Sequence, residues 1–224
     1  MRYGSCGFRN LAQGLPILAV MLCGLSLAAA QETVEWRPLF DGKSLQGWRE
    51  VPFGGRGQIR VENGAIILGK GLTTGIVWTK PFPKTDYEIR LDATRLEGSD
   101  FFAGITFPVE DSYATWINGG WGGLLVGLSS INGQDAAENG TNTSKNFEKG
   151  RWYALRLRVT RERIQAWIDG DEFINVALEG VKIGLRPGEM ELCVPLGIAS
   201  WSTTGAVRKL EYRTLAPSAG LKSQ

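Results

Sequence analysis

Three carboxylates sit where acid–base chemistry could be done: Asp100, Asp135 and Glu138. Asp100 precedes Phe101 and Phe102, and a carboxylate held against aromatic surface tends to keep its proton, which suits a catalytic acid or base. It could equally cap the turn after Gly98. Asp135 and Glu138 lie three apart in a polar loop with Asn132, Gln134, Asn139 and Asn142. Such a loop could grip sugar hydroxyls, supply a general base, or hold calcium through several oxygens. It lacks the D-x-[DN]-x-[DN]-G ladder, so no metal or other cofactor is expected and calcium is the weakest of these uses. The commonest fate of a polar loop is solvated surface. Asn139-Gly140-Thr141 and Asn142-Thr143-Ser144 also fit the glycosylation acceptor pattern.

The partners of such carboxylates would be cations and flat rings. Arg90 shares a strand face with Glu88 and Asp92, where it could orient a carboxylate or a sugar oxygen, or belong to an ordinary wet face; Lys145 is a second candidate stabiliser. The chain has no histidine and eight tryptophans. The first fact excludes a Ser-His-Asp triad and a His-ligated zinc site. The second supplies apolar planes of the kind that stack on pyranose rings, although roughly half or more should be core residues. Gly119-Gly120-Trp121-Gly122-Gly123 is the most unusual stretch. Glycines at this density suit a loop where a ligand or chain approaches the backbone closely. Trp121 would then be a stacking platform, with Trp116 as a second; the alternative is a tight corner in which Trp121 plugs the sandwich edge.

Short strands must position these residues. Asn63-Gly64 separates Ile59 and Val61 from Ala65–Leu68, the pattern of a hairpin. Tyr87, Ile89 and Leu91 alternate with Glu88, Arg90 and Asp92. Phe101, Ala103, Ile105 and Phe107 make the next candidate strand, and Leu124, Val126 and Leu128 another. Leu155, Leu157 and Val159 alternate with polar residues; Ile164, Ala166 and Ile168 follow with the same period before Asp169-Gly170 turns the chain into Phe173, Ile174 and Val176. Leu192–Ser200 and Val207–Tyr212 supply closing strands. Period-two patterning without helical segments or βαβ alternation predicts one all-β domain, a two-sheet antiparallel jelly-roll sandwich.

The ends read differently. Residues 1–30 carry Arg2 and Arg9, a short apolar run from Leu15 to Leu27 and an Ala28-Ala29-Ala30 site, the anatomy of a signal peptide. The expected domain is 31–215, with a frayed tail at 216–224. Export would make the protein secreted or periplasmic. Beyond the leader the 25 basic and 23 acidic residues become nearly balanced and form no basic stripe, so neither nucleic acid nor, after cleavage, a membrane is an expected partner. Cys193 alone would remain, which excludes an internal disulfide.

The segment W-R-P-L-F-D-G-K-S-L-Q-G-W, Trp36 to Trp48, resembles the opening F-x-x-L-F-D-G-K-S-L-x-G-W motif of the 3-keto-disaccharide hydrolase domain family. D-Y-E-I-R-L-D (Asp86–Asp92), R-W-Y-A-L-R-L-R-V (Arg151–Val159) and Ile168-Asp169-Gly170 resemble later strands of that family. The resemblance implies a concanavalin A-like sandwich with a sugar site on one sheet. Where the family carries G-N-S-G-I-x-x-R, this chain has Gly98–Phe107 without the Arg; where it carries G-Y-E-x-Q, Gly122–Ser130 has no Glu or Gln. It therefore reads as a divergent member.

Two functions follow as expectations. In the first, an enzyme acts on 3-keto sugars: Asp100, Asp135 or Glu138 takes the proton acidified by the C3 ketone, Arg90 or Lys145 stabilises the anion, and Trp121 and Trp116 hold the sugar. In the second, a non-catalytic sandwich binds carbohydrate through its Trp platforms and amide-rich loops. Convergence of the carboxylates and rings in one cleft would favour the enzyme.

Overall fold

The computed structural model describes residues 1–4 and 35–216. The chain divides into two compact units, 1–33 and 34–224, and the fold is that of the second. All but the first four residues of the expected signal peptide, and all but residue 216 of the expected tail, lie outside the described residues.

Among the described residues fifteen strands form two antiparallel sheets. In chain order they are β1 (Arg37–Pro38), β2 (Trp48–Glu50), β3 (Ile59–Glu62), β4 (Ala65–Leu68), β5 (Thr73–Trp78), β6 (Tyr87–Gly98), β7 (Gly104–Val109) and β8 (Ser112–Gly120). They continue with β9 (Leu125–Ser129), β10 (Thr143–Ser144), β11 (Tyr153–Val159), β12 (Arg163–Ile168), β13 (Asp171–Ala177), β14 (Gly197–Trp201) and β15 (Thr203–Thr214). One sheet of eight runs β13-β12-β11-β6-β15-β4-β3, with β1 added on β15; the other, of seven, runs β10-β9-β8-β7-β14-β5-β2. Leu91, Leu155, Leu157, Val207, Ile105, Phe107, Trp116 and Leu128 belong to one apolar core. Each such side chain contributes about 1.5–3 kcal/mol by leaving water. This is the all-β, two-sheet antiparallel sandwich expected from the patterning.

Local chemistry explains the turns. Asn63-Gly64 and Asp169-Gly170 all have positive φ, the requirement of a tight two-residue hairpin. The opening motif ties the chain down as its residue types suggest. The Asp41 carboxylate accepts the amides of Lys43 (2.8 Å) and Ser44 (2.7 Å), which hold it below its ordinary pKa. Trp48 donates its indole N–H to Leu39 O (2.7 Å) and packs edge-on against Trp78, ring centroids 5.3 Å apart.

One element differs from expectation. Leu192–Ser200 is not a single strand: a 3-10 helix spans Glu189–Cys193, and β14 begins only at Gly197. Pro195 lacks the N–H a ladder needs. Cys193 folds back onto Gly197, where an added Cβ would lie 2.6 Å from the Cys193 Cβ. Burial pushes the Cys193 thiol up to about 12.

Candidate functional site

The outer face of the seven-stranded sheet is largely roofed by loops. Cys193 closes over Gly197, Phe101 over Gly104 and Ala136 over Gly127; a side chain at any of these glycines would collide with the roof or crowd it. The roof is apolar in two patches. Val51, Phe53, Val77, Cys193 and Ala199 form one, with Met190 against it; Ile117, Leu125 and Ala136 form the other, and Phe101 packs on both. Between the patches the roof opens into a cleft of about 520 Å³. Thr115 and Ile117 of β8 and Ser129 of β9 line it from the sheet.

Part of the cleft lining is polar. Asp135 Oδ1 accepts from the Ser129 hydroxyl (2.6 Å) and the Ala136 amide (2.7 Å), and Oδ2 pairs with Arg186 Nη1 at 3.0 Å. Asp135 therefore serves as an acceptor that fixes Arg186, whose side chain remains mostly exposed. Glu189, at the start of the 3-10 helix, accepts from the Thr73 hydroxyl and is exposed in the cleft. Of the three carboxylates lining the cleft it has the most lone-pair capacity left over.

The apolar part of the lining is made by Trp121 and Trp201, with Phe101, Ile117 and Met190, and Glu189 stands beside it, since its partner Thr73 pairs across the sheet with Trp201. Trp121 sits at φ +46° between Gly120 and Gly122 and is 46 % exposed. Two charged groups hold its loop. Asp100 accepts the Phe101 amide through Oδ1 (2.8 Å) and the Gly122 amide through Oδ2 (3.3 Å). Arg95, buried on β6, donates to Gly123 O (3.2 Å) and Phe147 O (2.5 Å). Burial lowers the Arg95 pKa, opposed by Tyr153 and Asp100. Gly123, at φ +107°, has no room for a side chain: a Cβ there would lie 2.6 Å from Arg95 Nη1. The glycine density thus lets the loop close over a buried cation while presenting a ring.

Of the residues singled out from sequence, Asp100, Asp135 and Trp121 come together in this cleft. Trp116 does not: its ring is fully buried in the main core and offers no face to a ligand. Arg90 lies on the outer face of the other sheet, bonded to Glu211 at 2.6 Å and stacked on Trp36. Lys145 points its ammonium at the Tyr153 and Phe173 rings, 5.8 and 5.3 Å from their centroids. Glu138 stays outside the cleft and accepts the Asp135 amide at 3.2 Å. Asn139 is buried, donating to Leu128 O and accepting from Thr141, so its amide is not presented for glycosylation. Among the described residues no group of three or more His, Cys, Asp or Glu is placed to hold a metal ion. Arg186, Glu189 and Trp201 are not legible from sequence; the only signal for the first two is the charged Arg186-Pro187-Gly188-Glu189 turn.

Residues 35–192 match the 3-keto-alpha-glucoside-1,2-lyase-like domain. Among solved structures, the chain is similar to a protein from Parabacteroides distasonis ATCC 8503 described as a glycosyl hydrolase (15 % identity, TM-score 0.52, 81 % of this chain and 94 % of that one). It is also similar to the Crh5 transglycosylase, both free (14 % identity, TM-score 0.56, 82 % and 84 %) and in complex with NAG (13 % identity, TM-score 0.56, 81 % and 84 %). At these identities the likeness is one of fold. No curated protein matches the sequence.

Proposed function

The chain belongs to the 3-keto-alpha-glucoside-1,2-lyase-like domain family, and from that premise we propose that it is an exported carbohydrate-active enzyme cleaving glycosidic bonds of 3-keto sugars. The observation that carries this reading is the cleft in which Glu189, Arg186 and two exposed indoles meet. The leader-like residues 1–30 support export to the periplasm or the exterior.

A ketone at C3 acidifies the C2 proton. Glu189 takes that proton, the C2–H electron pair becomes the C1=C2 bond, and the glycosidic C1–O bond breaks. The electron pair leaves with the oxygen, which takes up a proton and departs as an alcohol. Water added across C1=C2 would complete a hydrolysis. Arg186, fixed by Asp135, is the donor for the enolate oxygen that develops as C2 is deprotonated. Trp121 and Trp201 hold the apolar faces of the substrate. Asp100 acts through the Trp121 loop rather than as a base, because both its oxygens receive backbone amides.

A second reading, a non-catalytic carbohydrate-binding sandwich, is favoured by one feature: Asp100 and Asp135 are both engaged by the protein's own donors. Turnover of 3-keto-trehalose separates the two. The enzyme reading expects glucose release that falls by about 100-fold or more in Glu189→Gln, the scale of a general base. Binding without release in the unaltered protein overturns it in favour of the second.

A further inference from the structure

We infer that Thr73 is a positioning residue of this site: its hydroxyl, carried on β5, holds one oxygen of Glu189 in place and so aims the other at the substrate. This rests on the reading of Glu189 as the base that acts on 3-keto glycosides, and adds to it what holds that base.

Glu189 stands on a stretch that its own backbone does little to fix. Upstream, Ser130 and Gly184 exchange amide-to-carbonyl bonds of 2.6 and 3.1 Å. Downstream, Cys193 is buried against Gly197. Between these anchors residues 186–189 are all exposed, and Gly188 sits at φ +113°, a conformation open to glycine. No side chain caps the 3-10 helix that begins at Glu189. The stretch is therefore moored by the side chains at its ends: Arg186 to Asp135 at 3.0 Å, and Glu189 to Thr73.

Thr73 is a firm place to moor it. It is fully buried and shares the parity of Val77 on β5, so it faces the roofed side of the sheet. A hydroxyl shut away from water needs an acceptor, and Glu189 Oε2 accepts it. Thr73 pairs with Trp201 of β14, and residues so paired have Cβ atoms about 5 Å apart. The carboxylate is thus tied to the sheet next to an indole on which the sugar would lie. The bond engages Oε2 and leaves Oε1 to take the C2 proton. A base held by a strand keeps its aim, whereas a misplacement of about 1 Å costs about 100-fold in rate.

The test compares glucose release from 3-keto-trehalose by the full chain, unaltered and as Thr73→Val, Thr73→Ala, Thr73→Ser, Glu189→Gln and Thr73→Val with Glu189→Gln. Valine keeps the branched shape the strand favours, and the oxygen it frees is taken up by water because Glu189 is exposed. Alanine is a second hydroxyl-free variant that demands no space. The expected result is a kcat about tenfold lower in both, with KM unchanged, and recovered in Thr73→Ser. In the Glu189→Gln background Thr73→Val should cost less than about twofold, because a residue acting through the base has nothing left to act on. Equal losses in the two backgrounds, or a kcat that Thr73→Val leaves unchanged, overturn the inference. Crystals of the unliganded variants read the mooring without turnover: the Glu189 carboxylate leaves its place in Thr73→Val and keeps it in Thr73→Ser. No release from the unaltered protein, with that displacement present, defeats the catalytic reading alone. A Glu189 carboxylate unmoved in Thr73→Val overturns the inference whatever the turnover.

Discussion

The two outer faces of the sandwich use tryptophan in opposite ways. On the eight-stranded sheet the outward-facing indoles are covered by guanidinium groups. Arg90 and Arg213 lie 4.2 and 4.7 Å from the Trp36 ring, Arg208 lies 4.0 Å from Trp152, and Arg156 lies 3.9 Å from Trp167. The same arginines engage carboxylates: Arg213 and Arg156 reach Glu88, Arg208 reaches Asp92, and Arg90 reaches Glu211. This face is a charge lattice that satisfies itself. On the seven-stranded sheet Trp121 and Trp201 carry no such cover among the described residues, and they line an open cleft. An indole is a ligand platform only where its faces are uncommitted. A count of tryptophans cannot reveal that, and the cation–π partners can.

The contrast can be broken first at the centre of the charge lattice. Glu88 is 2 % exposed and holds Arg213 at 2.5–2.7 Å with Arg156 and Arg158 at 3.9–4.0 Å. Glu88→Gln would leave several cations without their counter-ion, and a loss of about 2–3 kcal/mol is expected, discounted because the arginines are partly solvated. Urea unfolding measures the loss, while ligand affinity at the cleft should not move.

Next comes the Trp121 brace. Arg95→Met removes both donors to the loop carbonyls and should cost about 2 kcal/mol of stability. It should also weaken ligand binding and shift Trp fluorescence. Arg95→Lys, which keeps a donor and the charge, should recover part of both.

Trp201→Ala and Trp167→Ala sharpen the comparison directly. The first should weaken ligand binding by about tenfold with little change in the urea midpoint; the second should do the reverse, losing about 1 kcal/mol of stability. Equal effects on binding would erase the distinction between the faces.

The smallest effect concerns pH. Burial raises the Cys193 thiol from 9.0 to about 12, so the folded state keeps the proton that the unfolded chain releases. Its contribution to stability is full below pH 9.0 and is lost as pH rises toward 12. About 1 kcal/mol should disappear within one pH unit above the unfolded value, and Cys193→Ala should flatten that part of the profile in urea unfolding. Tyr87, raised by burial, acts in the same direction.

The scaffold is legible in the sequence and the site only partly so. Alternation in β11 survives because one side meets the core and the other meets water. In β8 the loops roof the outer face, so residues 114–120 are all buried and the pattern loses its phase. That is why Trp116 and Trp121 look equivalent in the sequence: one parity of β8 points into the core, and the loop beyond its end points out. Asp100, Asp135 and Trp121 stand out because their neighbours are unusual. Arg186 and Glu189 come from the segment between β13 and β14, and it is Asp135 and Thr73, distant in sequence, that receive them. No local pattern encodes such a meeting. Arg90 draws attention through its charged neighbours, which belong to the lattice rather than to a site.

A crystal of Glu189→Gln with 3-keto-trehalose bound tests the central claim most directly. The account expects the 3-keto ring on the seven-stranded face, its C2 within about 3.5 Å of the substituted side chain, and Trp121 or Trp201 against the ligand. Ligand seated instead on the eight-stranded face, in the hollow between Arg156, Trp167 and Lys209, would contradict it.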